Sequence, residues 1–299
     1  MPLWIPITIA AAFAQNLRSG LQKRLKGRMG TTGATFVRFG FGLPFALLYL
    51  ALVTALAGET VPAPTPTFLL AALAGGLAQI GGTFLLVYLF GFRNFVVGTA
   101  YSKTEPVQAA LFGFLILGET VSSLALLAVM AGVVGVVLIS VGNARSGNVL
   151  KGLASREAVV GVASGALFGV SAVFFRGAAL ALPDGSAALR AALTLAVTLA
   201  IQTVIMLVWM AFRDRDELRR VAAAWGPGLI VGLAGASASA GWFTAMTLQK
   251  VAYVRSLGQI ELVFTIATSI FWFRETVTRL ELAGALVIVL AILALVAGA

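Results

Sequence analysis

Ten stretches of mostly apolar residues follow one another along this chain, each about 20 residues or longer, the length a helix needs to cross a bilayer. They run over 3–22, 32–57, 67–90, 95–117, 121–142, 157–181, 186–212, 226–248, 253–273 and 278–298. The separators are short and carry turn or charge signals, such as Lys26-Gly27-Arg28, Pro62-Ala63-Pro64-Thr65-Pro66 and Pro183-Asp184-Gly185. Only 143–156 and 213–225 are longer, and neither could hold a soluble domain. Charged residues are 11% of the chain, against roughly 25% in soluble domains. Mean hydropathy is +1.01, so an exterior facing lipid is required. The expected fold is an all-α polytopic membrane protein of ten transmembrane helices.

A net charge of +10 would point to a nucleic-acid partner in a soluble protein. Here the basic residues crowd into loops, where they set orientation and meet anionic headgroups. The bilayer is the expected partner, not nucleic acid. Loops after spans 1, 3, 5, 7 and 9 hold fourteen basic residues, among them Lys23, Arg24, Lys26 and Arg28 after the first and Arg213, Arg215, Arg219 and Arg220 after the seventh. The opposite loops and the termini hold Lys250 alone. The positive-inside rule then places those five loops in the cytoplasm and both termini outside, in a bacterial-type inner membrane. Residues 1–14 lack a basic n-region and run on into the membrane pattern, which argues against a cleaved signal peptide.

There is no cysteine and no histidine. Disulfides, thiolate chemistry and the commonest metal ligand and general base are excluded. No cofactor and no metal are expected. The phosphate-loop pattern is absent as well, which argues against ATP-driven transport within this chain.

The chain repeats itself. Glu105 precedes Glu119-Thr120-Val121 by fourteen residues, and Glu261 precedes Glu275-Thr276-Val277 by the same interval. A weaker correspondence pairs Arg38 with Arg190 near the starts of spans two and seven. Two halves, 1–146 and 147–299, are therefore expected. Five spans per half is an odd number, so the second half enters from the opposite side: a 5+5 inverted repeat around a central cavity.

Each half has a fourth span that leads through a short turn (Leu117-Gly118-Glu119-Thr120-Val121; Arg274-Glu275-Thr276-Val277) into an apolar fifth span containing Gly132, Gly135 and Gly142, or Gly284. With Glu105-Pro106, Glu261, Arg38 and Arg190, this pattern resembles the drug/metabolite transporter superfamily, EamA-type, across essentially the whole chain. The resemblance implies export or exchange of small metabolites, with amino-acid exporters (the aromatic amino-acid type among them) as familiar members. Members are usually drawn with both termini cytoplasmic, the reverse of what these loop charges predict.

Six basic residues fall inside or at the ends of spans: Arg18, Arg38, Lys103, Arg176, Arg190 and Arg255. Two acidic ones, Glu105 and Glu261, join them. Ionisable groups at membrane depth are costly and belong in a bundle interior, although Arg18 and Arg255, near helix ends, could snorkel to the interface. Tyr101, Glu105 and Gln108 share one face of span four. Pro106 beside them predicts a kink, because proline lacks a donor and clashes one turn back. Span nine offers Gln259 and Glu261, with Thr265 and Thr268 on the same face. Span one offers Gln15 and Asn16 beside Arg18, and span three Gln79. Tyr88, Phe168 and Trp242 are candidate walls.

The positive excess favours a substrate with a carboxylate. An amino acid fits, its carboxylate on Arg or Lys and its ammonium on Glu105 or Glu261. Charges set singly on different helices, rather than in rings, argue against a channel. An enzyme would have to work with two glutamates alone and is not expected. No obligatory protein partner is predicted. The stripes Gly161, Gly165, Gly169 and Gly228, Gly232 are explained by close helix packing.

Overall fold

The computed structural model describes residues 2–91, 102–143, 156–271 and 278–297. These residues form thirteen α-helices and no strand. The first half holds α1 (Trp4–Leu25), α2 (Thr31–Gly40), α3 (Leu43–Ala57), α4 (Pro66–Leu89), α5 (Glu105–Leu117) and α6 (Ser123–Asn143). The second holds α7 (Arg156–Leu180), α8 (Ala187–Arg213), α9 (Arg215–Ala223), α10 (Trp225–Leu248), α11 (Val251–Leu257), α12 (Ile260–Phe271) and α13 (Arg279–Ala297). With α2–α3 and α11–α12 each read as one interrupted span, and α9 set aside, the helices follow the order of the ten spans. The expected boundary between the halves, at 146/147, lies outside the described residues.

Packing partners reveal the pseudo-symmetry. First-span α1 packs along eighth-span α10, and third-span α4 along sixth-span α7, so each contact is the image of the other. The fifth and tenth spans, α6 and α13, pair together, as do the bent second span and α8. Five spans per half invert the second copy, giving a ten-helix membrane bundle.

Helix ends fix the register. α2 and α8 begin at 31 and 187, and α3 and α8 end at 57 and 213, an offset of 156 in both cases. α4 and α10 are offset by 159 at both ends. The second half thus carries three extra residues between these helices, where α9 sits. This register corrects the expected Arg38–Arg190 match: Arg38 stands opposite Thr194, and Arg190 opposite Ala34.

The expected loop 213–225 is largely helical. Asp214 caps α9 by accepting from the Glu217 backbone N–H at 3.4 Å. Glu217 and Val221 face inward, while Arg219 stays exposed. The second span is also broken, between Gly40 and Leu43. Pro44 has no N–H to give the Gly40 carbonyl, so the helix restarts. The Phe41 backbone at this break lies against Gly232 of α10, where a Cβ would come 2.4 Å from its carbonyl oxygen. Gly165 and Gly169 do the same for the fourth span, near Ser102 O and Ala109 N. Both glycine stripes are packing faces, as expected.

Polarity is arranged for lipid. Leu56, Leu70, Leu115, Leu127 and Phe212 are exposed on the outside, while Thr8, Gln22, Gln79, Thr194 and Gln202 are buried within. Polar side chains placed inside such a bundle find partners across helices instead of facing hydrocarbon.

Candidate functional site

The ninth span is interrupted between its two helices, and the described part of the fourth begins at a turn. Before α5 the chain turns at Lys103-Thr104, and between α11 and α12 it turns at Gly258-Gln259. Glu105 and Glu261 then fall in the first turn of the helix that follows, where the positive end of the helix dipole favours a carboxylate. Pro106 is therefore not a kink inside a continuous helix, as expected from sequence. It opens α5, at a position whose N–H would have had no helical acceptor.

Four charges meet across the halves at these turns. The Lys103 ammonium, from the first half, lies 2.5 Å from Glu261 Oε2 in the second. The same oxygen accepts from Gln15 Nε2 at 2.9 Å, and Gln15 Oε1 accepts from Trp242 Nε1 at 2.9 Å. Arg255, from the second half, sits 3.0 Å from Glu105 in the first. Both of those atoms lack a directed hydrogen bond, so this pair is held by charge alone. The Arg255 guanidinium also stacks over the Trp242 ring at 4.7 Å. Gly258 lets that ring approach, since a Cβ there would lie 2.5 Å from it.

These side chains, with Pro106 and Gln259, line a cavity of about 20 Å³. That is room for about one water. The cavity's charged side chains pair with one another across the halves. Gln259 is buried at its wall, its amide nitrogen without a partner.

Of the sequence candidates, Gln15, Lys103, Glu105, Trp242, Gln259 and Glu261 converge here. Tyr101, the Glu-Thr-Val turn at 275–277 and the side chains of Thr265 and Thr268 lie outside what is described. The others have separate places. Gln79 accepts from Gln202 Nε2 at 2.9 Å, a buried amide contact between α4 and α8. Gln108 faces α7 and donates to the Val162 carbonyl at 3.4 Å. Phe168 packs on Gly82 of α4. Tyr88, at the end of α4, accepts from Arg156 at 2.9 Å. Asn16 is half-buried beside Gln15 but does not line the cavity, and Arg190 sits in the first turn of α8, away from it.

The two arginines that could have snorkelled are buried instead. Arg255 lines the cavity, and Arg18 is 2% exposed, one turn along α1 from Gln15. Sequence reasoning left both out of the site because each sits near the end of its apolar stretch. The interruption of span nine draws Arg255 inward, and the burial of α1 against α10 does so for Arg18. Arg38 is likewise buried, donating to Thr83 Oγ1 at 2.9 Å.

A second set of contacts ties the turn after span four to the end of span eight. Arg176 of α7 pairs with Glu119 and donates to the carbonyls of Met246 and Gln249, the latter at 2.9 Å. Lys250 donates to the Thr120 carbonyl at 2.6 Å. The glutamate that opens the Glu119-Thr120-Val121 turn is thus a bridge to the other half.

The EamA-like transporter family matches this sequence twice, over residues 2–141 and 158–297, once for each five-span half. The chain belongs to the EamA-like transporter family. Two matches in tandem account for the repeat and for the ten-span bundle. This EamA-like protein is thus a multi-pass membrane transporter of small solutes. Its fold is also similar to that of a solved crystal structure titled only as a protein, with a TM-score of 0.65 at 16% identity over 97% of this chain and 94% of that one. No curated protein matches the sequence.

Proposed function

We propose that this EamA-like protein is a secondary transporter that exports or exchanges small metabolites, amino acids foremost, by alternating access. The observation that carries the proposal is the crossed pairing of Lys103 with Glu261 and of Glu105 with Arg255. Each pair joins one half to the other beside a helix interruption, so the halves cannot part without breaking both. A solute bearing a carboxylate and an ammonium replaces those partners in kind. Its ammonium takes the place of Lys103 on Glu261, and its carboxylate that of Glu105 on Arg255. Binding then costs the site little electrostatic energy while freeing the halves to rock. A cavity of about 20 Å³ is too small for any amino acid, so loading requires the halves to move apart. The loops after spans 1, 3, 5, 7 and 9 face the cytoplasm in this proposal, in a bacterial-type inner membrane.

Counterflow in proteoliposomes tests it. Liposomes preloaded with unlabelled amino acid should accumulate the labelled one, and Glu261→Gln should abolish the accumulation. Absence of counterflow for every amino acid would remove the amino-acid assignment. Counterflow of sugars or nucleotides instead would support a transporter of another solute class.

A further inference from the structure

Charge around the paired cavity does not balance. Lys103 and Arg255 are matched by Glu261 and Glu105, but Arg18 and Arg38 are buried as well, at 2% and 5% exposure. Among the described residues no carboxylate lies within ion-pairing distance of either. Arg18 has only the Ser19 hydroxyl at 3.2 Å, and Arg38 only the Thr83 hydroxyl at 2.9 Å. The Nε of each arginine is buried with no hydrogen-bond partner.

The two side chains also converge. A Cβ on Gly235 of α10 would lie 3.4 Å from Arg18 Cδ and 3.4 Å from Arg38 Cγ. Their stems, from α1 and α2, therefore press on one glycine, within 6.8 Å of each other at most. A guanidinium cannot shed its proton to escape burial. Two cations on converging stems, removed from water, repel each other. An excess of two positive charges thus waits for a counter-charge that these helices do not supply.

We infer that Arg18 and Arg38 form an anion subsite one turn of α1 from the paired cavity, and that the transported solute is a small dicarboxylate with net negative charge. This deepens the transporter proposal and rests on it. One carboxylate meets Arg255 as proposed above, and the second meets the Arg18–Arg38 forks, whose planar geometry suits carboxylate. A neutral amino acid would leave both arginines uncompensated. An acidic amino acid adds an ammonium for Glu261, whereas an amino-free diacid leaves Lys103 in place there.

The test compares solutes of equal size and different charge. Aspartate, glutamate and succinate are set against asparagine, glutamine and leucine in counterflow and in thermal shift of the purified full chain. Dicarboxylates should exceed the matching amides by at least about tenfold, the effect of one charge-assisted contact. Arg38→Gln should erase that preference, and Arg18→Lys, which keeps the charge but not the fork, should weaken it. Should a variant fail to fold, the charge series on the unaltered protein decides alone. Amides carried as well as acids would overturn the dianion while leaving a transporter. A dicarboxylate that raises the melting temperature of the unaltered protein but not of Arg38→Gln, with no flux of any solute, would keep the subsite and sink the transporter proposal. Neither flux nor stabilisation by any dicarboxylate would overturn the subsite.

Discussion

Glu217 accepts the backbone N–H of Gly30 at 2.8 Å, and so the helix that follows the seventh span caps the helix that begins the second. The inverted image of this contact exists at the other end of the pair. Glu59, after the second span, accepts from the Ser186 N–H at 2.7 Å, at the start of the seventh. Each half thus closes the exposed N-terminus of its counterpart, one cap in each half of the repeat. The two differ in burial: Glu217 is 2% exposed, and Gly30 and Gly33 leave room for its carboxylate. Glu217→Ala should lose about 1.5–3 kcal/mol, the value of a charged hydrogen bond, and Glu59→Ala clearly less because water replaces it. Denaturant titration in detergent measures both. Gly33→Ala should resemble Glu217→Ala, since its methyl would lie 2.4 Å from the carboxylate oxygen.

The Lys103–Glu261 pair gives a prediction in which structure and transport separate. Lys103→Met removes one partner of a largely buried ion pair, a loss of up to about 3–5 kcal/mol. The double variant Lys103→Met with Glu261→Leu removes both charges of the pair, so it should be more stable than Lys103→Met alone. A coupling of about 0.5–3 kcal/mol is expected between neighbours of this kind. Transport should be absent in all of them. Recovery of flux together with stability in the double variant would mean that the pair only holds the fold.

Arg255 holds both a charge and a ring. Lysine keeps the charge toward Glu105 but is a point charge without a plane to lay on Trp242. Arg255→Lys should therefore retain the fold, lose about 0.5–2 kcal/mol of stacking and reduce substrate affinity. Quenching of Trp242 fluorescence on substrate addition, present in the original protein and weakened in Arg255→Lys, reads this directly.

Glycines on one helix should behave in opposite ways. Gly232→Ala places a methyl 2.4 Å from the Phe41 carbonyl oxygen, which is backbone and cannot swing aside. The break in the second span must then move, and the protein should lose about 1–3 kcal/mol. Gly226, near the start of the same helix, has nothing within 4 Å of its missing Cβ. Gly226→Ala should be neutral or stabilise by up to about 1 kcal/mol through helix propensity. Equal effects at the two sites would contradict the packing described here.

The bundle was legible because lipid imposes length. Ten apolar stretches, an odd count per half and the recurring Glu-Thr-Val turn already specify two opposed copies. Interruptions were harder to see. Pro106 signals a disturbed fourth span, but proline can kink a helix or open one, and the choice depends on α7 backing onto Ser102. The ninth span breaks at Gly258-Gln259 with no proline at all, so its signal is one glycine among 33. Lys103, Glu105 and Glu261 converge because charges at membrane depth have few other places to go, and Gln15, Trp242 and Gln259 meet them there. Gln79, Tyr88 and Phe168 do not, since a buried amide or aromatic ring serves packing equally well and its residue type does not say which. Arg18 and Arg255 lie near enough to helix ends to snorkel, but their depth is set by neighbours rather than by sequence position.

Orientation is the property that loop charge predicts against the habit of the family, and this chain is well suited to testing it, because it has no cysteine to remove. Asp184 follows the sixth span and Asp216 the seventh, so they lie on opposite faces of the membrane, and both are exposed. The charge count places Asp216, beside Arg213, Arg215, Arg219 and Arg220, in the cytoplasm. In intact cells a membrane-impermeant maleimide should label Asp184→Cys and spare Asp216→Cys until the membrane is opened. The reverse pattern would put both termini in the cytoplasm. The crossed ion pairs would survive that reversal unchanged, since an inverted repeat presents equivalent helices to either side. The dense basic loops would then face outward, against the bias that ordinarily fixes insertion.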